Sequence, residues 1–171
     1  MPDEDATFLV NAYADPVVVR IQGRANFMNA APLNEFMRSM MAQGRTRFVI
    51  DFRNCTGMDS TFLGILAGAG IELQRMESPG RMLLTRLGAR NRDLVENLGL
   101  DCLMEIDTSG EDPGQSAGGK EEALNESESP LSNEERAKFV LEAHENLIEA
   151  DANNAAKFQD VIAFLRNQAE S

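Results

Sequence analysis

The stretch RFVIDFRNCTGMDSTFLGILAGAG, residues 47–70, constrains the fold more than any other part of the chain. Arg47 to Phe52 is apolar enough to sit as a strand in the centre of a sheet. From Phe62 to Ile71 the residues are apolar on several sides, as in a helix covered by its neighbours. A buried strand running straight into a buried helix is half of a strand–helix–strand crossover, which calls for a layered α/β fold. Glycines 64, 68 and 70 cost that helix about 1 kcal/mol each against alanine. Their expected use is close approach to the neighbouring strands. Where strand turns into helix stands Gly57-Met58-Asp59-Ser60-Thr61, a carboxylate and two hydroxyls in an otherwise apolar segment.

The flanking sequence supplies the rest of a mixed sheet. Phe8 to Val10 and Val17 to Ile21 are short strand-like runs parted by the turn Ala14-Asp15-Pro16, which predicts a hairpin. Gly23-Arg24-Ala25-Asn26-Phe27 reads as a loop leading to Pro32 near a helix start. Leu33, Phe36, Met37, Met40 and Met41 then form one apolar helical face, and Gly44 ends the helix. Pro79-Gly80 turns the chain into a strand from Arg81 to Thr85. A short helix with Leu94, Val95 and Leu98 follows, and a last short strand near Cys102 to Ile106. The order is β-β-α-β-α-β-α-β.

Composition changes at Asp107. Residues 107–131 are rich in Gly, Ser, Pro and Glu with almost nothing to bury, and predict a disordered acidic linker. Residues 132–168 then read as helix, opened by Ser132 with Glu135 placed for a capping box. Val140, Leu141, Leu147 and Ile148 form one stripe, and Phe158, Val161, Ile162 and Leu165 another. Asp151-Ala152-Asn153-Asn154 between them argues for a helical hairpin or a bent helix. Such a pair buries little alone, so it is expected to dock on the domain, on a second copy or on a partner. His144, the chain's one histidine, lies here with no partner nearby in sequence, and a solvated or packing role is expected of it.

Charge removes several function classes. The net charge is −12, of which residues 107–171 carry −10, with 15 acids against 5 bases, and no lysine precedes Lys120. So acidic a chain is ill suited to gripping a phosphate backbone, which argues against direct nucleic-acid binding. No run is long enough to cross a bilayer, and the start Met1-Pro2-Asp3-Glu4-Asp5 has no signal-peptide character. Cys55 and Cys102 are too few for a disulfide framework, so a reduced cytoplasmic setting is expected. With one histidine, no metal site is expected, nor any cofactor.

At the junction the plainest role for Asp59 or Ser60 is to cap the helix. Three consecutive polar residues exceed what a cap needs, and the first-turn amides of a helix favour an anion. A hydroxyl there suits a reversible phosphoryl mark, which adds about −1.5 to −2 of charge and can make or break a docking surface. The order of elements, with MDSTFLG following RFVIDF, resembles the STAS family of bacterial anti-sigma-factor antagonists, whose motif here reads Asp-Ser-Ser/Thr-Gly-Leu-Gly. The resemblance covers roughly residues 7–106. It implies a STAS-like mixed β-sheet packed with helices in residues 1–106, with the C-terminal helical segment added after the linker.

It also implies a non-enzymatic switch. In the family, the serine after the aspartate is phosphorylated by a partner anti-sigma factor that is an ATP-dependent serine kinase. Unphosphorylated, the antagonist binds that factor and frees the sigma factor, and a phosphatase resets the cycle. Carried over, the phosphoacceptor is Ser60, with Thr61 the weaker candidate. The partner surface comprises Asn26, Phe27, Asp59, Thr61 and Phe62, and ATP and magnesium belong to the partner. Two positions depart from the family. Phe62 replaces the motif's glycine and puts a ring where kinase or phosphatase contacts are expected. Gly23-Arg24-Ala25-Asn26 stands for the usual Gly-Glu-Leu-Asp, so Asn26 replaces an acid.

The rivals lack parts. A phospho-aspartate receiver built on Asp51 needs a lysine and a magnesium-binding acid cluster, and the first 106 residues have no lysine. A serine hydrolase at Ser60 needs a Gly-x-Ser-x-Gly elbow and a nearby base, and neither is visible. The standing alternative is a STAS scaffold in a sensory assembly, or a cytosolic partner of a membrane transporter. Self-association through the C-terminal helices is a further expectation.

Overall fold

A computed structural model describes residues 7–113, 121–124 and 131–170. The elements run β1 (Phe8–Asn11), β2 (Val17–Ala25), α1 (Ala31–Ala42), β3 (Arg47–Met58), α2 (Ser60–Arg75), β4 (Arg81–Thr85), α3 (Ala89–Asn97) and a 3-10 turn (Leu100–Cys102). β5 (Glu105–Asp107), β6 (Glu122–Ala123), α4 (Asn133–Ala150) and α5 (Asn154–Glu170) complete the chain. The sheet has the order β5-β4-β3-β2-β1-β6. β2 to β5 pair in parallel, while β1 is antiparallel to both β2 and β6. This is the mixed α/β architecture that the alternating pattern predicts, with the expected hairpin at its start.

β3 occupies the centre, and its first half is buried on both faces because both are covered. Phe48, Ile50 and Phe52 join the main core with Leu33 and Met37 of α1 and Phe62, Leu63 and Leu66 of α2. Val49 and Asp51 alternate to the other face. In α1, Leu33, Met37 and Met41 are buried, and Phe36 and Met40 pack at the edge of the core. Gly44 follows the helix at φ +88°, a turn that glycine makes without strain.

The disordered-linker expectation falls partly on residues 114–120 and 125–130, which lie outside the described residues. Where the segment is described, it lies against the sheet. β6 pairs Leu9 with Ala123, and the Leu124 amide donates to the Phe8 carbonyl. Asp112 and Glu121 each reach Arg20 at 3.1 Å. Asp51, fully buried, accepts from Arg86 through Nε at 3.0 Å and Nη2 at 2.5 Å, and from Arg20 Nε at 3.2 Å. The acids of a segment that looks merely soluble therefore complete a charge network on the second face of the sheet. Apolar content does not report such pairing.

Two further expectations change. Gly23 to Ala25 belong to β2 rather than to a loop, because β3 runs on to Met58 and pairs Arg24 with Gly57 and Ala25 with Met58, after register shifts near Arg20/Gln22 and Gly23/Arg24. The extension is held by backbone hydrogen bonds and, apart from the small buried Ala25, lies under exposed or half-buried side chains, so hydrophobic periodicity cannot reveal it. The second change concerns α2. Gly64 and Gly68 face α4, not the strands: a Cβ on Gly64 would lie 2.1 Å from the Ala143 carbonyl oxygen, and one on Gly68 would lie 2.5 Å from Asn146 Nδ2. Only Gly70 faces the segment before β5, near Leu103 and Met104.

The C-terminal segment folds as two helices, α4 and α5, that pack on each other. Ser132 and Glu135 make the reciprocal capping box, and the helix breaks at Asp151. The face of α4 that meets the domain shares Leu147 with the predicted stripe but not Val140, Leu141 or Ile148. Its buried residues are Ala137, Ala143, His144 and Leu147. Small side chains are what allow α4 to close on the two glycines of α2, and an apolar-stripe reading passes over them.

Candidate functional site

The extended arms of β2 and β3 end side by side, and this puts the loop after β2 next to the start of α2. The Asp59 amide donates to the Ala25 carbonyl at 3.2 Å. Asp59 is the N-cap: its Oδ1 accepts from the Phe62 amide at 2.9 Å, while Oδ2 accepts from the Phe27 amide at 2.8 Å. One carboxylate thus caps the helix and ties down the neighbouring loop. That loop is further set by the Met28 amide on Asn26 Oδ1 and the Asn26 amide on Asn29 Oδ1, both at 2.9 Å. The asparagine at position 26 serves the loop's own turn. Phe27 and Met28 stand exposed beside the cap.

Replacing Asp59 by alanine removes both functions. The expected loss is about 1–2 kcal/mol of folding stability, the upper range for a helix cap. Asp59→Asn keeps an acceptor and is expected to lose less than half of that, as read from denaturant titrations of the two variants.

Ser60 is the first residue of α2 and is half-buried. Its Oγ lies 2.8 Å from Nε2 of His144. His144 is buried, its Nδ1 lies 2.7 Å from the Val140 carbonyl, and its ring meets Phe158 edge-on at 5.1 Å. A carbonyl only accepts, so Nδ1 carries a proton, and in the neutral imidazole Nε2 accepts the Ser60 hydroxyl. Of the solvated or packing role expected of His144 the structure shows packing, with a hydrogen-bond partner in Ser60 besides. The contact joins residues 84 apart in the chain, and local sequence cannot disclose it.

Thr61 and Phe62 stand inside the molecule. Thr61 is buried, and Phe62 is fully buried with its ring stacked on Phe8 at a centroid distance of 6.0 Å. Phe62, expected at a partner surface, is a core residue, because the third position of α2 points down onto the sheet. The residues left around Ser60 at the surface are Asp59, Asn26 and Phe27. Beside them opens a cavity of about 410 Å³ bounded by Met58, Ser60, Leu94, Lys157 and Phe158.

A serine on a histidine invites comparison with acyl-transfer chemistry. That chemistry needs donors aimed at a developing oxyanion. Here the Phe62 amide is already taken by Asp59, and the Asp59 carboxylate would oppose negative charge at Ser60. His144 is also oriented by a backbone carbonyl rather than by a carboxylate. The arrangement fits a hydroxyl held for binding. Among the described residues no group of His, Cys, Asp and Glu is placed to hold a metal ion, and no helix is long and apolar enough to cross a membrane.

The family model described as the Mlab STAS domain matches residues 8–105, from β1 into β5. No curated protein matches the chain. Among solved structures, an anti-sigma factor antagonist from Mycobacterium paratuberculosis is 23% identical, with 64% of this chain and 92% of that one covered and a TM-score of 0.52. The Bacillus cell fate determinant SpoIIAA in its phosphorylated form is 23% identical over 60% of this chain and 92% of that one, with a TM-score of 0.49. The anti-sigma factor antagonist SpoIIAA in its unphosphorylated form is 22% identical over 52% and 81%, at 0.47. At these identities the likeness is one of fold. α4 and α5 lie beyond the residues that the family model matches.

Proposed function

This chain belongs to the STAS-domain family, and we propose that it works as an anti-sigma-factor antagonist, a phosphorylatable protein-binding switch that regulates transcription without touching nucleic acid. The observation that carries this reading is the position of Ser60. It follows the capping Asp59 at the head of α2, beside the loop that Asp59 ties down, in the motif whose resemblance implies a phosphoacceptor.

In this mechanism the unmodified surface of Ser60, Asp59, Asn26 and Phe27 docks on the ATP-binding domain of an anti-sigma factor with serine kinase activity. Ser60 Oγ attacks the γ-phosphorus of ATP, the bond to the bridging oxygen breaks, ADP leaves, and the hydroxyl proton passes to a base of the kinase. ATP and magnesium are held by the kinase. The phosphoryl group adds about −1.5 to −2 of charge beside Asp59 and against the docked surface, which ejects the partner. A phosphoserine phosphatase restores the hydroxyl. All of this takes place in the cytoplasm.

The direct test is phosphosite mapping by mass spectrometry on protein isolated from its own cells, under growth and under stress. Phosphate on Ser60 with condition-dependent occupancy supports the switch. Full coverage of the Ser60 peptide with no phosphate in any condition overturns it in favour of a scaffold or a transporter partner. Once the kinase is in hand, Ser60→Ala is expected to stay bound with or without ATP. Ser60→Asp is expected to bind at least about a hundredfold more weakly, as a loss of a few kcal/mol implies, measured by titration calorimetry.

A further inference from the structure

We infer that the C-terminal hairpin is a displaceable intramolecular cover of the switch surface: α4 occupies the side of α2 that a partner must reach, and Ser60 becomes available when α4 leaves. The purpose of the cover rests on the reading of Ser60 as a switch, whereas the docking and its release are physical claims that need no partner.

Three features carry the inference. Ser60 Oγ is engaged by the buried His144 of α4, at 2.8 Å and in a part-buried contact, so the hydroxyl proposed for phosphoryl transfer is committed to the chain itself. The seat beneath α4 is shaped for a close helix. Gly64 and Gly68 let the α4 backbone approach to a distance that any side chain on Gly64 would forbid, and the Asn146 side chain donates to the Gly64 carbonyl at 3.2 Å. The hairpin lies outside the residues matched by the family, so the cover is an addition laid over the family's functional surface.

The attachment is also of a kind that comes apart. The hairpin contributes Ala143 and Leu147 to the main core, with Phe139, Ala150 and Phe158 at its margin. Much of the rest is polar. His144 meets Ser60, Asn146 meets Gly64, and the buried Asn154 donates to the Leu98 carbonyl at 2.9 Å. At the rim are the exposed ion pairs Arg38–Glu142 and Arg75–Glu149, which add little. The contact mixes Leu147, Phe139 and Phe158 with these polar bonds, as the more polar interfaces between domains do. Elements held this way open sub-globally, ahead of the core.

Phosphorylation bears on the same contact. A phosphorylated Oγ has no proton to donate, so the hydrogen bond from Ser60 to His144 is lost and the phosphoryl group would stand next to the Asp59 carboxylate. The closed arrangement is therefore the resting form of the unmodified chain. A partner competes with α4 for the uncovered surface.

Native-state hydrogen exchange on the full chain tests the cover. The amides of α4 are expected to exchange at least a hundredfold faster than those of Val49 and Ile50 in β3. Gly64→Leu, which drives a side chain into the Ala143 carbonyl, is expected to accelerate α4 at least tenfold more and leave β3 unchanged. His144→Ala changes only the hairpin side and is expected to act in the same direction. Accessibility is read separately in Ser60→Cys, whose introduced thiol is expected to react with iodoacetamide at least tenfold more slowly than the exposed Cys102 of the same molecule. If α4 is as protected as β3, the hairpin is a permanent part of the domain and the inference fails. It fails too if both variants leave α4 protection unaltered, or if the thiol introduced at position 60 reacts as fast as Cys102. None of these outcomes alters the phosphosite map, and a blank phosphosite map leaves the cover standing.

Discussion

Replacing Asp51 by alanine is expected to remove about 3 kcal/mol of folding stability, the lower end of the range for breaking a buried ion pair. Asp51 has no exposed surface, and Arg86, its closest partner, has a side chain only 11% exposed. Removing the carboxylate leaves two guanidinium groups, Arg86 and Arg20, facing each other across a buried site. The loss stays at the low end because Asp112 remains at 3.6 Å from Arg86 and 3.1 Å from Arg20. Arg86 sits at φ +56°, a left-handed conformation that costs an ordinary residue about 1–2 kcal/mol, so any relaxation of its backbone once Asp51 is gone offsets part of the loss.

The same site governs the acid limb. Burial alone would raise the Asp51 carboxyl. The Arg86 hydrogen bond, the Arg53 amide and the charges of Arg86 and Arg20 outweigh burial and hold it below the usual carboxylate range. A carboxyl lowered in the folded state contributes stability that is complete above the unfolded value, about pH 3.9. That contribution is lost as pH falls through the folded value. The stability gap between the unaltered chain and Asp51→Ala should therefore be constant from neutral pH down to about 4 and narrow below it. Denaturant titrations at a series of pH values measure this. A gap that persists unchanged at about pH 2, below the unfolded value, would show that the carboxylate's charge is not what stabilises the site.

What was legible in the sequence was whatever rests on local pattern. The apolar run of β3, the methionine-bearing face of α1 and the cap at Asp59 follow from periodicity and helix-end chemistry, and the STAS motif then orders the elements around Ser60. The capping box at Ser132 and the break near Asp151 were readable on the same grounds. What was not legible depends on pairs far apart in the chain. His144 finds Ser60, Glu121 finds Arg20, and β6 finds β1 only after the chain has folded back. A signal for the first existed in retrospect: Gly64 and Gly68 lie one helical turn apart, and α4 carries Ala143 beside His144, which is how two helices approach closely. Taken singly, a glycine in a buried helix points no more to a neighbouring helix than to a strand.

Phe62→Gly, which restores the glycine of the family motif, is expected to be the most destabilising change near the site, at about 4 kcal/mol. Removing a fully buried phenylalanine ring costs about 3–5 kcal/mol when its surroundings cannot collapse. The ring here is enclosed, stacked on Phe8 of an edge-side strand and packed in the same core as Ile50, Phe52 and Leu66. The backbone contribution is small, since the Phe62 amide keeps its bond to Asp59 and the position lies in the first turn of α2. Phe62→Leu, which retains most of the volume, is expected to lose about 1–1.5 kcal/mol. Urea titration distinguishes the two views of this residue. A core ring lowers the midpoint with the slope unchanged, in the order Gly worse than Leu. A ring that serves a partner leaves both midpoints where they are and alters only binding. The first outcome makes the departure from the motif a matter of packing: where the family places a glycine, this chain fills its core with Phe62 against Phe8, and the surface that Ser60 offers is set by Asp59, Asn26 and Phe27 instead.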